Sequence, residues 1–168
     1  MDERHPLAIG GGGLSPKADK ILMSLVDASD CIILAGYDPI EMRAGWRNPW
    51  NDKATVIDIT PVLRTHGMHR VDLTLRGSCR SIIEMLTSVV VSGEHWTDNK
   101  PADVKKTFTD AFAPPASFGP GQVFATLNQC LPEDTVITID SGAHRILLSQ
   151  MWQSTRPRAI LQSTALCT

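Results

Sequence analysis

One segment near the end of the chain combines residue types and spacing that suit the binding of a phosphate group. A β-branched run from Thr135 to Ile139 is followed at once by Asp140-Ser141-Gly142-Ala143-His144-Arg145. The run predicts a strand, and the residues after it predict a tight turn that opens a helix. Backbone N–H groups would then lie at the carboxyl end of the strand, where the helix dipole favours anions. Gly142 would let the backbone approach a phosphate closely, and His144 would add a hydrogen-bond donor.

The elements around this segment must hold it in place. Helices alternate with short apolar strands along the chain, and this pattern predicts an α/β fold of parallel-sheet layers with flanking helices. The predicted strands are Cys31 to Ala35, Thr55 to Ile59, Asp72 to Leu75, Thr135 to Ile139 and Arg158 to Leu161. Apolar residues at helical spacing predict helices after Ser15-Pro16, after Gly77-Ser78, from Asp98 to Pro101 onward, over Val123 to Leu131, and after Gly142. The strand from Cys31 to Ala35 is expected to be buried on both faces of its sheet.

A proline- and glycine-rich stretch, Ala113 to Gly121, interrupts this alternation. It cannot form a long helix or a central strand, and it is the best candidate for an interdomain linker. The sequence therefore predicts two partial α/β domains, residues 1–92 and residues 122–168, joined by residues 93–121, a linker with a short helix.

Composition limits the class of protein. The chain has 168 residues and a net charge of -2, which argues against a nucleic-acid partner held by bulk electrostatics. Its apolar runs are far shorter than the roughly 20 residues of a membrane span, and its start does not resemble a signal peptide. The four cysteines are far apart and form no C-x-x-C pair. A cytoplasmic protein with reduced thiols is expected, and no metal ligands or catalytic residues are assigned, since His66 and His69 are interpreted as surface histidines.

The ordered set of segments resembles the thiamine-diphosphate-dependent enzymes of the acetolactate synthase type. Asp140 to His144 resembles the D-x-G-x-H segment that opens the family's diphosphate-binding domain, and Ser163 to Thr168 resembles its S-G-G-L-G-T segment. In the family's central domain, the strand aDliillG is similar to Ser29 to Gly36, and the strand and turn viHiDidP are similar to Val56 to Pro61. The resemblance covers essentially the whole chain in the right order. The departures are Ala143 and Arg145 for glutamines, Thr164, Ala165 and Cys167 for glycines, and Ser78 for the usual aspartate.

The resemblance implies a domain identity and a cofactor for each half. Residues 1–92 would be the second half of a central domain of nucleotide or flavin type, and residues 122–168 the beginning of a thiamine-diphosphate domain. The residues implied at the diphosphate end of thiamine diphosphate are Ser141, Gly142, Ala143, His144 and Thr168. Those implied near a flavin or nucleotide are Gly36, Asp58 and Thr60. Magnesium would accompany thiamine diphosphate in the parent enzyme, with FAD in flavin-containing relatives.

The implied activity is that of a transferase or lyase which decarboxylates a 2-oxo acid such as pyruvate and joins the product to a second carbonyl compound. The parent is expected to be a homo-oligomer, a dimer or a tetramer, with neither a nucleic-acid partner nor a membrane partner. The family activates the thiamine ring with a glutamate from a separate N-terminal domain and holds magnesium with a G-D-G…N motif. This sequence contains neither, so a fragment that is inactive alone is expected.

Three alternatives stay open from the sequence. The chain could be a non-catalytic nucleotide-binding or assembly module that another chain completes, or an unrelated small α/β protein with a nucleotide site. Taken alone, Asp140 to Arg145 is also explained by a plain strand-to-helix turn with a surface histidine. For Asp58, the competing interpretation is a strand-end residue that satisfies local backbone donors.

Overall fold

The computed structural model describes residues 2–38, 46–63, 67–91, 93, 96 and 98–163. Its helices and strands are α1 (Pro16–Asp27), β1 (Cys31–Ala35), β2 (Thr55–Thr60), β3 (Leu73–Arg76), α2 (Cys79–Val89), α3 (Lys100–Ala111), α4 (Pro120–Cys130), β4 (Ile137–Ile139), α5 (Ala143–Met151) and β5 (Ile160–Gln162). The strands form two parallel sheets, of order β1-β2-β3 and β4-β5. A mixed α/β fold with short parallel sheets is therefore present, as the sequence predicts.

The chain separates into two compact units. The terminal unit comprises Met1–Leu22 and Asn99–Thr168, and the internal unit comprises Met23–Asp98. The terminal unit contains α3, α4, α5 and the β4-β5 sheet, and the internal unit contains α2 and the β1-β2-β3 sheet. Helix α1 begins in the terminal unit and ends in the internal one.

The sheet of the internal unit places β2 between its two neighbours. In its register, Leu34 pairs with Asp58, and Asp58 pairs with Thr74, so these three residues lie in one row. One face of the sheet is covered by an apolar cluster of Trp50, Ala54 and Val56 with Val26, Ile32, Leu34 and Val71. Side chains alternate between faces along a strand, so the other face carries Ile33, which is 54% exposed. The prediction that β1 is buried on both faces is therefore wrong, because the cluster covers only one of them.

The core of the terminal unit forms where α1 meets α3. Ala18, Leu22 and Phe108 are buried together, and Ile9, Ile21 and Phe112 pack against them. Local chemistry starts α1 where the sequence predicts, since the Ser15 hydroxyl accepts a hydrogen bond from the Ala18 N–H at 3.3 Å. The ring of Phe108 lies directly on the backbone of Gly10, because a Cβ at that glycine would be 2.5 Å from the Phe108 Cζ atom.

Helix α2 begins where the sequence predicts, and its first turn could be stabilised by a negative charge. The Ser78 hydroxyl accepts a hydrogen bond from the Ser81 N–H at 3.5 Å, and the first turn holds no acidic residue. An aspartate at this position caps as well as serine and adds a negative charge near the positive end of the helix dipole.

We expect Ser78→Asp to raise the free energy of unfolding by about 0.5 kcal/mol through the helix dipole. We expect Ser78→Ala to lower it by about 0.5 to 1 kcal/mol, because an N–H group loses its acceptor. Thermal unfolding followed by circular dichroism measures both variants. A less stable aspartate variant would contradict this account of the cap.

Candidate functional site

The turn between β4 and α5 lies at the carboxyl edge of the smaller sheet. Strand β4 pairs with β5 in parallel, with Ile139 opposite Gln162, and the Ser163 N–H donates to the Ile139 carbonyl at 3.1 Å. The chains that leave the two strands therefore leave side by side. Ligands of open α/β sheets bind at this edge.

Gly142 makes the turn from strand to helix. Its φ of 145° and ψ of 177° are a conformation that residues with a Cβ rarely adopt, and α5 begins at the next residue. The imidazole of His144 folds back over this glycine, because a Cβ on Gly142 would be 2.7 Å from the His144 Cε1 atom. The backbone conformation therefore requires a glycine here, and a Cβ would also force the exposed imidazole of His144 to move aside.

The first turn of α5 presents backbone donors to solvent. The first N–H groups of a helix have no acceptor within the helix, and no side chain caps this one. The exposed residues Gly142, Ala143 and His144 carry these groups, whereas the Arg145 N–H turns back to the Gly142 carbonyl at 3.1 Å. The arrangement suits a small anion, and the helix dipole points its positive end at the same place.

Ser141 connects this turn to the segment that follows β5. It is half-buried, and its Oγ lies 3.5 Å from the Oγ of Ser163. Its N–H donates to the Asp140 carboxylate at 2.6 Å, which places a negative charge beside the turn. That charge opposes an anion at Ser141 itself. The backbone N–H groups of Gly142 and the two residues after it are therefore better placed to bind an anion.

Arg145 is a residue of this site that the sequence interpretation did not assign. Its guanidinium donates a hydrogen bond to the carbonyl of Ser163, across the gap between α5 and the end of β5. The cation is thereby held at the carboxyl edge of the sheet, one helical turn from Gly142. Its contact depends on the pairing of β4 with β5, so no local signal in the sequence indicated it.

The three residues assigned to the internal unit lie together at the carboxyl edge of the larger sheet. Gly36 has a φ of 63°, and its N–H donates to the Ile59 carbonyl at 2.9 Å. The Gly77 N–H donates to the Thr60 carbonyl at 3.0 Å, so the ends of all three strands meet there. Asp58 precedes Thr60 by two residues and therefore faces the same side of the sheet.

The two polar side chains on β2 differ in how their hydrogen bonds are satisfied. Thr60 is fully buried, and its Oγ1 donates to the Val62 carbonyl at 2.8 Å, so this hydroxyl is used by the turn itself. Asp58 is only 8% exposed, yet no residue in the described ranges donates to its carboxylate or forms an ion pair with it. Among the described residues, no backbone donor accounts for this aspartate. Its carboxylate oxygens are not fully enclosed, and a mostly buried aspartate that no described residue engages is a candidate ligand-binding group.

Near this edge, the sequence interpretation did not assign Cys79 and described His69 incorrectly. The half-buried thiol of Cys79 lies 3.3 Å from the Ile59 carbonyl and 3.6 Å from the place that a Cβ on Gly36 would take. The interpretation of His69 as a surface histidine is wrong, because its ring is half-buried between Tyr37 and Trp50, with centroids 5.4 Å and 5.1 Å away. The loop that carries His69 gives no periodic signal from which burial could be inferred.

Two residues discussed from the sequence are not described by the structure. Thr168 and His66 lie outside the described residues. Among the residues whose positions are described, no three His, Cys, Asp or Glu side chains are grouped as a metal site would require, and no helix is both long and apolar enough to cross a membrane.

The clear pKa shifts belong to surface ion pairs. A hydrogen bond from the Arg4 side chain lowers the pKa of Asp2, and a hydrogen bond to Asp110 raises the pKa of Lys106. These groups are exposed, and pairs of this kind contribute little to stability. They do not indicate a catalytic acid or base.

A cavity of about 580 Å³ also lies within the terminal unit, apart from the predicted site. Its walls include Lys105, Phe112, Asn128, Gln150 and Trp152, and none of the residues from Ser141 to His144. The Oε1 atom of Gln150 is buried, and no donor in the described part of the chain reaches it. Its lining includes both basic residues, Arg4 and Lys105, and acidic ones, Glu3, Asp110 and Glu133, so the lining favours no ligand charge.

Comparison with known protein sequences does not assign the chain to a family. No protein-family model matches the chain, and no curated protein matches it in sequence. The resemblance to thiamine-diphosphate enzymes therefore rests on the order of the sequence motifs alone.

Proposed function

We propose that the chain carries part of the cofactor site of a thiamine-diphosphate-dependent enzyme of the acetolactate synthase type. The observation that carries this proposal is the turn at Gly142, which combines a glycine-only conformation with uncapped N–H groups at the start of α5. This is the local geometry that a diphosphate requires. The proximity of Ser141 to Ser163 adds support, because Ser163 is the first residue of the segment that resembles the family's S-G-G-L-G-T.

The residues of the turn would act by binding and orienting the cofactor. The N–H groups of Gly142, Ala143 and His144 would donate to phosphate oxygens, and Arg145 would contribute positive charge nearby. Thiamine diphosphate, when bound, supplies the carbanion chemistry that decarboxylates a 2-oxo acid and joins it to a second carbonyl compound. Asp140 is the one poorly fitting group, since its charge opposes a phosphate at Ser141. The sequence has no G-D-G motif for magnesium, so no turnover is expected from this chain by itself.

The diphosphate site is tested by amide chemical shifts in a nuclear magnetic resonance titration with inorganic pyrophosphate and with magnesium thiamine diphosphate. We expect saturable shifts centred on Gly142, Ala143 and His144, with a dissociation constant of order 1 mM because only part of a site is present. We expect Gly142→Ala to abolish them, since the added methyl group meets the imidazole of His144 and disfavours the turn.

Gly67→Ala is the matched control. Gly67 also has a positive φ, of 61°, but a Cβ there would meet nothing within 4 Å. This variant should bind pyrophosphate as the wild type does. If Gly142→Ala kept the shifts, or if the shifts were spread evenly over the chain, the turn would not be the site.

As a second candidate, we propose that the internal unit binds a nucleotide or flavin as a non-catalytic module. Asp58, a mostly buried residue at the carboxyl edge of a parallel sheet whose carboxylate no described residue engages, favours this function. An acidic residue near such an edge can accept hydrogen bonds from ribose hydroxyls. The resemblance implies that Gly36 and Thr60 lie near the same ligand. We expect Asp58 variants to lose ADP binding, and calorimetric titration with ADP tests this second candidate function.

A further inference from the structure

One face of the larger sheet becomes polar toward its carboxyl edge. Side chains alternate between faces along a strand, so Val56, Asp58 and Thr60 of β2 share the face on which the apolar cluster packs against Val56. In the register, Asp58 pairs with Thr74 of β3. Thr60 pairs with Arg76 in the same way. Paired residues of neighbouring strands point to the same side of the sheet, so all of these polar side chains lie on one face.

Asp58 and Arg76 are diagonal neighbours on this face. Arg76 lies on the adjacent strand, two residues beyond the partner of Asp58, which separates the two Cα atoms by roughly 8 Å, given the spacing of strands and their rise per residue. Among the described residues, neither side chain has a hydrogen-bond or ion-pair partner. The carboxylate can therefore accept hydrogen bonds from a ligand, and the guanidinium can donate them.

Both charged groups can be reached by a ligand. Asp58 is mostly buried, but its carboxylate oxygens are not fully enclosed. Arg76 is exposed, and so is Thr74, which lies between the two and whose hydroxyl has no partner within the described part of the chain. This face therefore offers an acceptor, a hydroxyl group and a cation in that order.

The order of these groups indicates the chemistry of the ligand. A carboxylate accepts hydrogen bonds from ribose hydroxyls and repels a phosphate, so Asp58 favours the sugar. A guanidinium binds phosphate through paired, charge-assisted hydrogen bonds, so Arg76 favours the phosphate. A sugar phosphate carries hydroxyls and a phosphate on one small unit, and it can engage both side chains at once.

We propose, on the basis of the second candidate function, that the internal unit recognises a sugar phosphate through these two side chains. Asp58 accepts hydrogen bonds from the sugar hydroxyls, and Arg76 donates hydrogen bonds to the phosphate. Arg76 is thus the residue that selects a nucleotide over a nucleoside, and the resemblance to thiamine-diphosphate enzymes gives it no role. The same unit occurs in nucleotides and in free sugar phosphates, and the choice of probes distinguishes the two.

Calorimetric titration of the full chain with AMP, adenosine and ribose 5-phosphate tests the proposal. We expect the wild type to bind AMP about tenfold or more tightly than adenosine, because hydrogen bonds between charged groups contribute an effect of this size. Arg76→Met should remove this preference and leave the affinity for adenosine unchanged. Asp58→Asn should weaken the binding of AMP and of adenosine by the same factor. Ribose 5-phosphate that binds as tightly as AMP would identify a free sugar phosphate as the ligand, and weaker binding would identify a nucleotide.

Arg80→Met is the matched control for Arg76→Met. Arg80 lies on α2, its side chain is 86% exposed, and it pairs with Glu84 four residues later. This variant should bind all three probes as the wild type does, and Arg76→Lys, which keeps the positive charge, should retain a preference for AMP. Circular dichroism confirms that each variant is folded.

The possible failures are distinguishable. If AMP binds and Arg76→Met still prefers it to adenosine, the phosphate contact is wrong, while the second candidate function stands. If Asp58→Asn weakens AMP but not adenosine, the assignment of the sugar to Asp58 is wrong. A wild type that binds neither AMP nor ADP would overturn both the sugar phosphate site and the second candidate function.

Discussion

Replacing Phe108 with alanine is expected to lower the free energy of unfolding by about 3 to 5 kcal/mol. This ring is 4% exposed, fills the centre of the terminal unit's core, and packs against the ring of Phe112 with 4.9 Å between centroids. Its removal costs the burial of an aromatic side chain and leaves a cavity that α1 and α3 cannot close without moving. Urea denaturation followed by circular dichroism measures the loss.

Gly10 allows the same contact to be tested from its other side. Gly10→Ala should destabilise the wild type by about 2 to 3 kcal/mol, because the new methyl group meets the Phe108 ring and the φ of 143° is unfavourable with a Cβ. In the Phe108→Ala background only the cost of φ remains. The two substitutions together should therefore cost about 1 to 2 kcal/mol less than their sum.

The neighbouring Gly11 supplies the control for this cycle. A Cβ on Gly11 would find ordinary contacts, 3.7 Å from the Ser149 carbonyl oxygen and 3.9 Å from the Gln150 Nε2 atom. Gly11→Ala should change stability little in either background. Strict additivity of Gly10→Ala and Phe108→Ala would show that the ring does not rest on Gly10.

Replacing Asp58 with valine is expected to stabilise the chain by about 1 kcal/mol while removing nucleotide binding. In the register of the sheet Asp58 lies between Leu34 and Thr74, no described residue donates to its carboxylate, and a β-branched apolar side chain suits the middle strand of a sheet. Stability gained with function lost is typical of residues retained for a ligand. Urea denaturation measures the first effect, and calorimetric titration with ADP measures the second.

Asp72 is the matched control for Asp58. Its carboxylate accepts the Val56 N–H at 2.8 Å and pairs with Arg70 at 2.9 Å, so Asp72→Asn should destabilise the chain by about 1 kcal/mol. Asp58→Asn keeps the shape of the side chain and should weaken ADP binding at least tenfold. If Asp58→Val lowered stability, the carboxylate would have a structural partner after all. If the wild type failed to bind ADP, the second candidate function would be lost, whatever the stabilities show.

The helices were predictable because their signals are local. Ser15 and Ser78 mark helix starts through their own side chains, and apolar spacing identifies the faces that follow. Strand β1 was likewise placed correctly, since a short apolar run between turn residues needs no distant partner to be recognised. Strand β4 is shorter than its β-branched sequence predicts, because the Thr135 N–H bonds to the Pro132 carbonyl in a turn.

The parts that could not be predicted depend on distant partners. Whether β1 is covered on one face or two is decided by what packs on the sheet, not by the strand's own sequence. The contact between Arg145 and Ser163 arises only when β4 and β5 pair. The turn at Gly142 was predicted from local residue types. That no described residue donates to the Asp58 carboxylate could be established only from the three-dimensional positions of its neighbours.

The position of β1 at the border of its sheet has a consequence for the behaviour of the chain in solution. β1 pairs with β2 on one side, and in the order β1-β2-β3 no other strand among the described residues of the internal unit pairs with its second side. Its sequence, Cys31 to Ala35, has no proline and no charge, the features by which proteins usually guard such borders against strand addition. An extended segment of another molecule can therefore continue the backbone ladder there. If molecule after molecule added a strand at the free edge of β1, a cross-β fibril would form.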